Sequence, residues 1–142
     1  MKVKDIMTAD PNCCLITDTA HTAAQIMKKD DVGAIPVVES GEKRKLAGIV
    51  TDRDLCLSVV AAGKAPDSVT VRECMSGEPV ACYPEDDIHR VSDLMKQHQV
   101  RRIPVIDRQN CICGIVAISD IARAREFDRS ETGEVIEQIS RP

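Results

Sequence analysis

The sequence predicts an α+β fold: two β-α-β-β-α repeats packed about a pseudo-twofold axis, with small mixed sheets carrying helices on one side. Three observations predict it. The 142-residue chain repeats itself, since Ile35-Pro36-Val37-Val38 returns 68 residues later as Ile103-Pro104-Val105-Ile106, and Gly48-Ile49-Val50 returns 66 residues later as Gly114-Ile115-Val116. Within each copy the apolar periodicity alternates between helical and extended stretches. With 43% hydrophobic and 30% charged residues, the chain has the composition of an ordinary globular protein. A repeat of this length is one supersecondary unit that buries its apolar face against a neighbour.

The elements follow in the same order in both copies. A short helical turn is expected at Val3–Met7 and at Val71–Met75, then a brief strand at Cys13–Ile16 and at Val80–Tyr83. An amphipathic helix should open at Asp18 and at Asp86, each suited to an N-cap. Ala20, Ala23, Ala24 and Met27 share one face of the first helix, and Ile88, Val91 and Met95 share one face of the second. The next strands, Ala34–Glu39 and Arg102–Asp107, carry a proline near the start, which predicts an edge or first-residue position. Polar turns, Ser40–Arg44 and Arg108–Asn110, lead into the second strand of each hairpin, Leu46–Thr51 and Ile112–Ala117. Each strand passes into a helix, expected over Asp54–Ala62 and Asp120–Phe127. Gly63–Asp67 breaks the chain between the copies. The domain reading is 1–67 for the first repeat, 68–127 for the second and 128–142 for a charged tail, with a short helix around Glu134–Ile139.

Composition narrows the function. A net charge of −4 offers no global attraction to nucleic acid or to a membrane surface. With one Tyr, one Phe and no Trp, the chain lacks the aromatic platforms on which single-stranded bases stack. No apolar run is long enough to span a bilayer and the first residues carry no apolar leader, so a cytoplasmic location is expected. The seven cysteines then read as small buried hydrophobes. Gly63-Lys64 is not a phosphate-binding P-loop, because the upstream glycine is missing and Ala65 stands at the Ser/Thr position. No nucleophile–base–orienter set emerges at motif spacing, so no enzyme is expected.

The chemistry concentrates where each hairpin passes into a helix. Thr51 and Asp54 are one helical turn apart, so both can point to one spot above a helix start. A carboxylate there can accept hydrogen bonds from both ribose hydroxyls, as acidic residues do in dinucleotide folds. A hydroxyl and unpaired N–H groups suit phosphate oxygens. The same Thr-x-x-Asp spacing also describes a capping box with Asp in place of Glu. Both readings stand at this point. Copy two has Ala117 where copy one has Thr51, with Ser119 beside Asp120 as a substitute hydroxyl. It also has Arg101-Arg102 before its Ile-Pro, where copy one has Gly33-Ala34. These arginines are either a solvated strand end or bidentate phosphate ligands.

The apolar-Pro-Val strands, with Gly48-Ile49-Val50-Thr51-Asp52-Arg53-Asp54 and Gly114-Ile115-Val116-Ala117-Ile118-Ser119-Asp120, resemble a tandem pair of cystathionine β-synthase (CBS) domains, a Bateman module, over roughly residues 1–127. In that family a similar Gly-x-x-Thr/Ser-x-x-Asp motif binds adenosine-containing nucleotides. The resemblance implies a ligand-sensing module that takes AMP, ADP or ATP in the cleft between its repeats and requires no other cofactor. It implies a homodimer, paired through the helices near Leu57–Ala62 and Ile121–Phe127, that acts in trans on an effector protein. The expected ligand residues are Thr51, Asp54 and Arg53, with Ile35 and Pro36 beside the adenine edge and Cys13, Cys14 and Cys82 on the first strands. From copy two come Arg101 and Arg102, reaching across to the phosphates, with Ile103, Pro104, Ser119 and Asp120. NAD and S-adenosylmethionine are further ligand candidates. Two other classes are weighed: a structural interaction module with unoccupied clefts, and a cysteine redox or metal sensor built on Cys111 and Cys113, which share a strand face.

Overall fold

The computed structural model describes residues 1–75, 78–124 and 129–141. In chain order the elements are a 3-10 turn Val3–Asp5, β1 Thr8–Ala9, β2 Cys14–Leu15, α1 Ala20–Asp30, β3 Ala34–Val38, β4 Leu46–Thr51 and α2 Asp52–Leu55, which runs on as a π-helix Cys56–Val60. A 3-10 turn Pro66–Ser68 leads to α3 Val71–Cys74, α4 Ile88–His98, β5 Arg102–Ile106, β6 Ile112–Ala117, α5 Ile118–Ala122 and α6 Arg129–Ile139. No helix among the described residues is long and apolar enough to cross a membrane.

The chain forms two compact units, and they do not follow the repeats. One contains Pro11–Pro79 with Asn110–Ile112. In it β2 pairs in parallel with β3 through Cys14–Val37 and Leu15–Val38, and β3 pairs antiparallel with β4 from Ala34–Thr51 onward. The strand–helix–strand link is thus parallel and the hairpin antiparallel, as expected. Its core gathers Cys14, Ala23, Ile35, Val37, Val50 and Val71, all at most 1% exposed. Along β4, Leu46, Gly48 and Val50 are buried while Ala47, Ile49 and Thr51 are half-buried, the period-2 signature of a strand with one covered face.

The other unit contains Met1–Asp10, Val80–Gln109 and Cys113–Pro142. Its sheet has the order β1-β6-β5, with β1 antiparallel to β6 through Thr8–Ile115 and Ala9–Gly114. Val3, Ile88, Met95, Ile103, Val116 and Ile121 are fully buried in its core.

Each unit is closed internally by the same device. The Val71 N–H donates to Asp18 O at 2.8 Å in one, and the Val3 N–H donates to Asp86 O at 2.9 Å in the other. The opening turn of each repeat therefore docks on the helix entrance of the opposite repeat.

Several expectations shift. Asp18 and Asp86 are not N-caps: each accepts from the backbone N–H three residues earlier, Leu15 at 2.8 Å and Tyr83 at 2.9 Å, closing the turn before the helix. Thr19 and Asp87 cap instead, accepting from Thr22 N at 3.2 Å and His89 N at 2.8 Å. Both helices end in a left-handed residue, Asp31 (φ 54°) and Gln99 (φ 53°). Ala24 is exposed, so the buried face of α1 is Ala20, Ala23 and Met27.

Pro36 is also a departure, because β3 is the central strand of its sheet. The equivalent strand in the other unit shows why this is tolerated: Cys82 N donates to Pro104 O at 3.1 Å and Ile106 N to Cys82 O at 2.8 Å. The parallel ladder thus begins at the proline carbonyl, one group beyond its missing N–H. The predicted strand at Val80–Tyr83 contracts to this single Cys82–Val105 bridge. The helix expected over Asp54–Ala62 starts at Asp52 and turns π-helical at Cys56. Its counterpart starts at Ile118, and the part expected up to Phe127 lies outside the described residues beyond Ala124. The tail helix is longer than expected, covering Arg129–Ile139.

Candidate functional site

Thr51 ends β4 opposite Ala34 and is the N-cap of α2. Its hydroxyl oxygen accepts from Asp54 N at 3.1 Å, and Asp54 Oδ2 accepts from Thr51 N at 2.9 Å. This is a reciprocal capping box, so the structural reading of the Thr-x-x-Asp spacing holds. It leaves chemistry over. Among the described residues nothing bonds Asp54 Oδ1, and the Thr51 hydroxyl hydrogen has no acceptor. The box therefore fixes a half-buried carboxylate with one oxygen open at the start of a helix, where the N–H groups also favour negative charge.

The wall beside it is built by β3. Asp52 N donates to Gly33 O at 2.9 Å, and Asp52 Oδ2 lies 3.0 Å from where a Gly33 Cβ would stand. Gly33 thus keeps the ground next to the α2 start clear. Ile35 and Pro36 are buried in the hairpin, paired with Val50 and Ile49. Cys14 is fully buried in β2 with its Sγ toward Pro36 O at 4.0 Å. Burial, and then the nearby Asp18 carboxylate, push the Cys14 thiol up to about 12. Cys13 is half-buried and Arg53 exposed, with the Arg53 N–H donated to Asp52 Oδ1 at 2.8 Å.

The equivalent place in the other unit has the same frame and different chemistry. Ala117 N donates to Asp120 Oδ2 at 2.8 Å, but Ala117 has no hydroxyl to complete the box. Asp120 Oδ1 is taken by Arg123 Nη2 at 2.8 Å. Ile118 N donates to Arg101 O at 2.9 Å, the counterpart of the Asp52–Gly33 bond. Arg101 and Arg102 are exposed beside their own unit's helix start, Ser119 is exposed, and Ile103 and Pro104 are buried. Cys82 is 1% exposed, and burial followed by Asp86 pushes its thiol up to about 12.

Sequence reasoning passed over two of these partners. The Asp120–Arg123 spacing of three residues signalled the ion pair. The Gly33–Asp52 approach had no sequence signal beyond the Gly33/Arg101 mismatch. Among the described residues no group of three or more His, Cys, Asp or Glu side chains is placed to hold a metal ion.

The CBS-domain pattern matches residues 3–61 and 71–126, that is, both repeats. The chain belongs to the CBS-domain family. It is 40% identical over 138 residues to the CBS domain-containing protein YhcV of Bacillus subtilis, covering 97% of this chain and 94% of that protein. It is 37% identical over 120 residues to hypoxic response protein 1 of Mycobacterium tuberculosis, covering 84% and 82%. A crystal structure of Hypoxic Response Protein I with two coordinated zinc ions superposes with a TM-score of 0.77 at 36% identity, over 87% of this chain and 98% of that one. The CBS domain pair of protein MJ0100, crystallised with 5′-methylthioadenosine and S-adenosyl-L-methionine, gives a TM-score of 0.77 at 28% identity over 87% and 94%.

Proposed function

We propose that this CBS pair is a cytoplasmic regulatory sensor of adenosine-containing ligands, adenine nucleotides of the AMP, ADP and ATP type, that signals in trans to an effector protein. The observation that carries the reading is the open Oδ1 of Asp54, held in place by the Thr51 capping box. An oriented carboxylate of this kind accepts both hydroxyls of a ribose. The Thr51 hydroxyl and Arg53 serve the phosphate end, the backbone beside Ile35 and Pro36 reads the adenine edge, and half-buried Cys13 flanks it; the Ile35 and Cys14 side chains, at most 1% exposed, belong to the core and touch no ligand. Arg101 and Arg102 take phosphate oxygens, and Ser119, Asp120 and the backbone beside Ile103 and Pro104 form a second, weaker site, from which the fully buried Ile103 and Cys82 side chains are excluded. The MJ0100 pair, which carries two adenosine compounds, supports the ligand class.

The sensor works as a homodimer. Leu57 and Val60 are 51% and 74% exposed on the π-helix, and Val60 lines a groove of about 300 Å³ with Ala20, Leu55 and Val59, which supports pairing through that face. Ile121, named with them from the sequence, is fully buried in its own unit and takes no part.

Calorimetry and thermal shift with AMP, ADP, ATP, NAD, S-adenosylmethionine and 5′-methylthioadenosine test the reading. Ligand at a hundred times its dissociation constant should add about 2.7 kcal/mol of stability. Absence of any response at millimolar concentration across the panel would overturn it. The alternative, an interaction module with unoccupied clefts, draws support from the second unit, where the hydroxyl is lost and Arg123 already occupies the carboxylate. It predicts that same flat response together with intact dimerisation.

A further inference from the structure

The cysteines divide into two groups. Cys14, Cys74 and Cys82 are buried, and with half-buried Cys113 their thiols are all pushed up, chiefly by burial. These side chains stay protonated and shielded. Cys13 is in a different setting. Its Sγ lies 3.2 Å from Arg44 Nη2, and the same guanidinium nitrogen donates to Pro11 O at 2.7 Å. The Cys13 thiol itself reaches Pro11 O at 3.4 Å.

Arg44 is held rather than loosely placed. It sits at φ 55°, in the left-handed region that a non-glycine residue adopts only where its surroundings enforce it. Its N–H donates to Ser40 O at 3.0 Å, and its carbonyl accepts from Ile112 N at 2.9 Å. Leu46 N donates to Asn110 O at 2.9 Å, so Lys45 and Cys111 face each other across a short antiparallel ladder. Because the flanking residues carry the ladder bonds, Lys45 and Cys111 form its close, non-hydrogen-bonded pair, with side chains on one face. Arg44, just before this ladder, directs its guanidinium to Cys13. Cys13 is thereby given a guanidinium by the tip of the first hairpin.

We propose that Cys13, oriented and activated by Arg44, is a selectively reactive thiol and a site of modification by peroxides and soft electrophiles. A guanidinium beside sulfur stabilises the thiolate, which is the nucleophile. With hydrogen peroxide the thiolate lone pair bonds to one peroxide oxygen, the O–O bond breaks, and hydroxide leaves and takes up the proton the thiol had released to solvent, giving water; the product is the Cys13 sulfenic acid. With iodoacetamide the S–C bond forms as iodide departs. The adduct sits next to Cys14, which pairs with Val37 in the sheet, so the modification reports directly into β2–β3. Because Cys13 also stands beside the proposed purine site, its reactivity is read on protein free of nucleotide.

The gain in thiolate is partly offset by the lower nucleophilicity of a more acidic thiol, so the rate rises about threefold for each tenfold gain in thiolate. The experiment is pulsed iodoacetamide labelling of the full native chain, read cysteine by cysteine by peptide mass spectrometry. Arg44→Gln should slow Cys13 labelling at pH 7 about threefold and displace its pH profile upward, Arg44→Lys should restore part of the rate, and Cys56 should not respond. After peroxide, dimedone should mark Cys13 ahead of the other six. An unchanged Cys13 profile in Arg44→Gln would overturn the proposal. If that variant unfolds the hairpin, the unmodified chain decides: Cys13 must label faster in the native protein at pH 6.5 than in urea, and a native rate at or below the unfolded one would refute the activation.

Discussion

Replacing Asp54 with asparagine separates the two roles of its carboxylate. Oδ2 accepts the Thr51 N–H at 2.9 Å, and Oδ1 is open. Asparagine keeps one carbonyl oxygen, which can take over the Thr51 N–H, and puts an amide nitrogen where the open acceptor stood. The cap survives, so stability should change by no more than about 0.5 kcal/mol. The ribose loses a charged acceptor worth about 1.5–3 kcal/mol, which weakens an adenosine ligand roughly 10- to 150-fold. Asp54→Ala removes the cap partner as well, adding a stability loss of about 0.5–2 kcal/mol and, for a chain of this size, a melting shift of about 3–6 °C per kcal/mol. Calorimetry gives the affinities and urea unfolding gives the stabilities. Asp120→Asn is the control, because Arg123 already holds the equivalent oxygen. If Asp54→Asn bound the best ligand of the panel with unchanged affinity, the ribose role of this carboxylate would be wrong, however much Asp54→Ala destabilised the chain.

Ala117→Thr should complete the second capping box, giving Asp120 N the acceptor that Thr51 gives Asp54 N, and should stabilise the chain by about 0.5–1 kcal/mol in urea unfolding. Gly114→Ala should cost about 1–3 kcal/mol, because its Cβ would lie 2.5 Å from Met7 Sδ and 3.1 Å from Thr8 O. Gly48→Ala should cost less, since only the Met75 side chain crowds it, at 3.0 Å; equal losses in the two variants would contradict the packing. Stability should fall as pH rises from the ordinary thiol value near 9 toward about 12. Burial raises the Cys14 and Cys82 thiols, so the folded chain holds protons there that the unfolded chain has released. Cys14→Ala with Cys82→Ala should flatten that alkaline slope in pH-dependent unfolding. At the acid end Lys2 and Lys4 hold the Glu85 carboxyl below its usual range, so its contribution is present above about pH 4.5 and disappears as pH falls through the lowered value. Glu85→Gln should remove that part of the acid transition.

What the sequence made legible was local and periodic. β4 and β6 run from Leu46 to Thr51 and from Ile112 to Ala117, the expected limits, because alternating burial and a flanking turn define such strands unambiguously. The helix starts were misplaced because Asp18 and Thr19 both bear capping oxygens, and only the backbone path decides that Asp18 serves the preceding turn. The edge preference of proline is a rule about whole strands, whereas at Pro36 the deciding quantity is which single N–H the ladder needs. The π-helix after Leu55 depends on the closing bonds Ala61 N to Cys56 O and Lys64 N to Val59 O, which no periodicity announces. At the candidate site, the spacing of Thr51 and Asp54 fits both a cap and a ligand grip. The cap is formed, and the open Oδ1 shows that capping does not use up the group. Arg44 drew no attention in the sequence because its partner Cys13 is 31 residues away.

The exchanged opening segments bear on how this chain can be cut or rearranged. Severing it between 67 and 68 would not release two working halves: the first piece would carry Val3, Thr8 and Ala9 away from β6 and the Asp86 turn, and the second would strip Val71 from the Asp18 turn. Each fragment would keep most of one sheet yet lack the plug that closes its core. Removing only the first ten residues should therefore loosen the part of the protein encoded furthest from them, leaving the adjacent sequence comparatively intact.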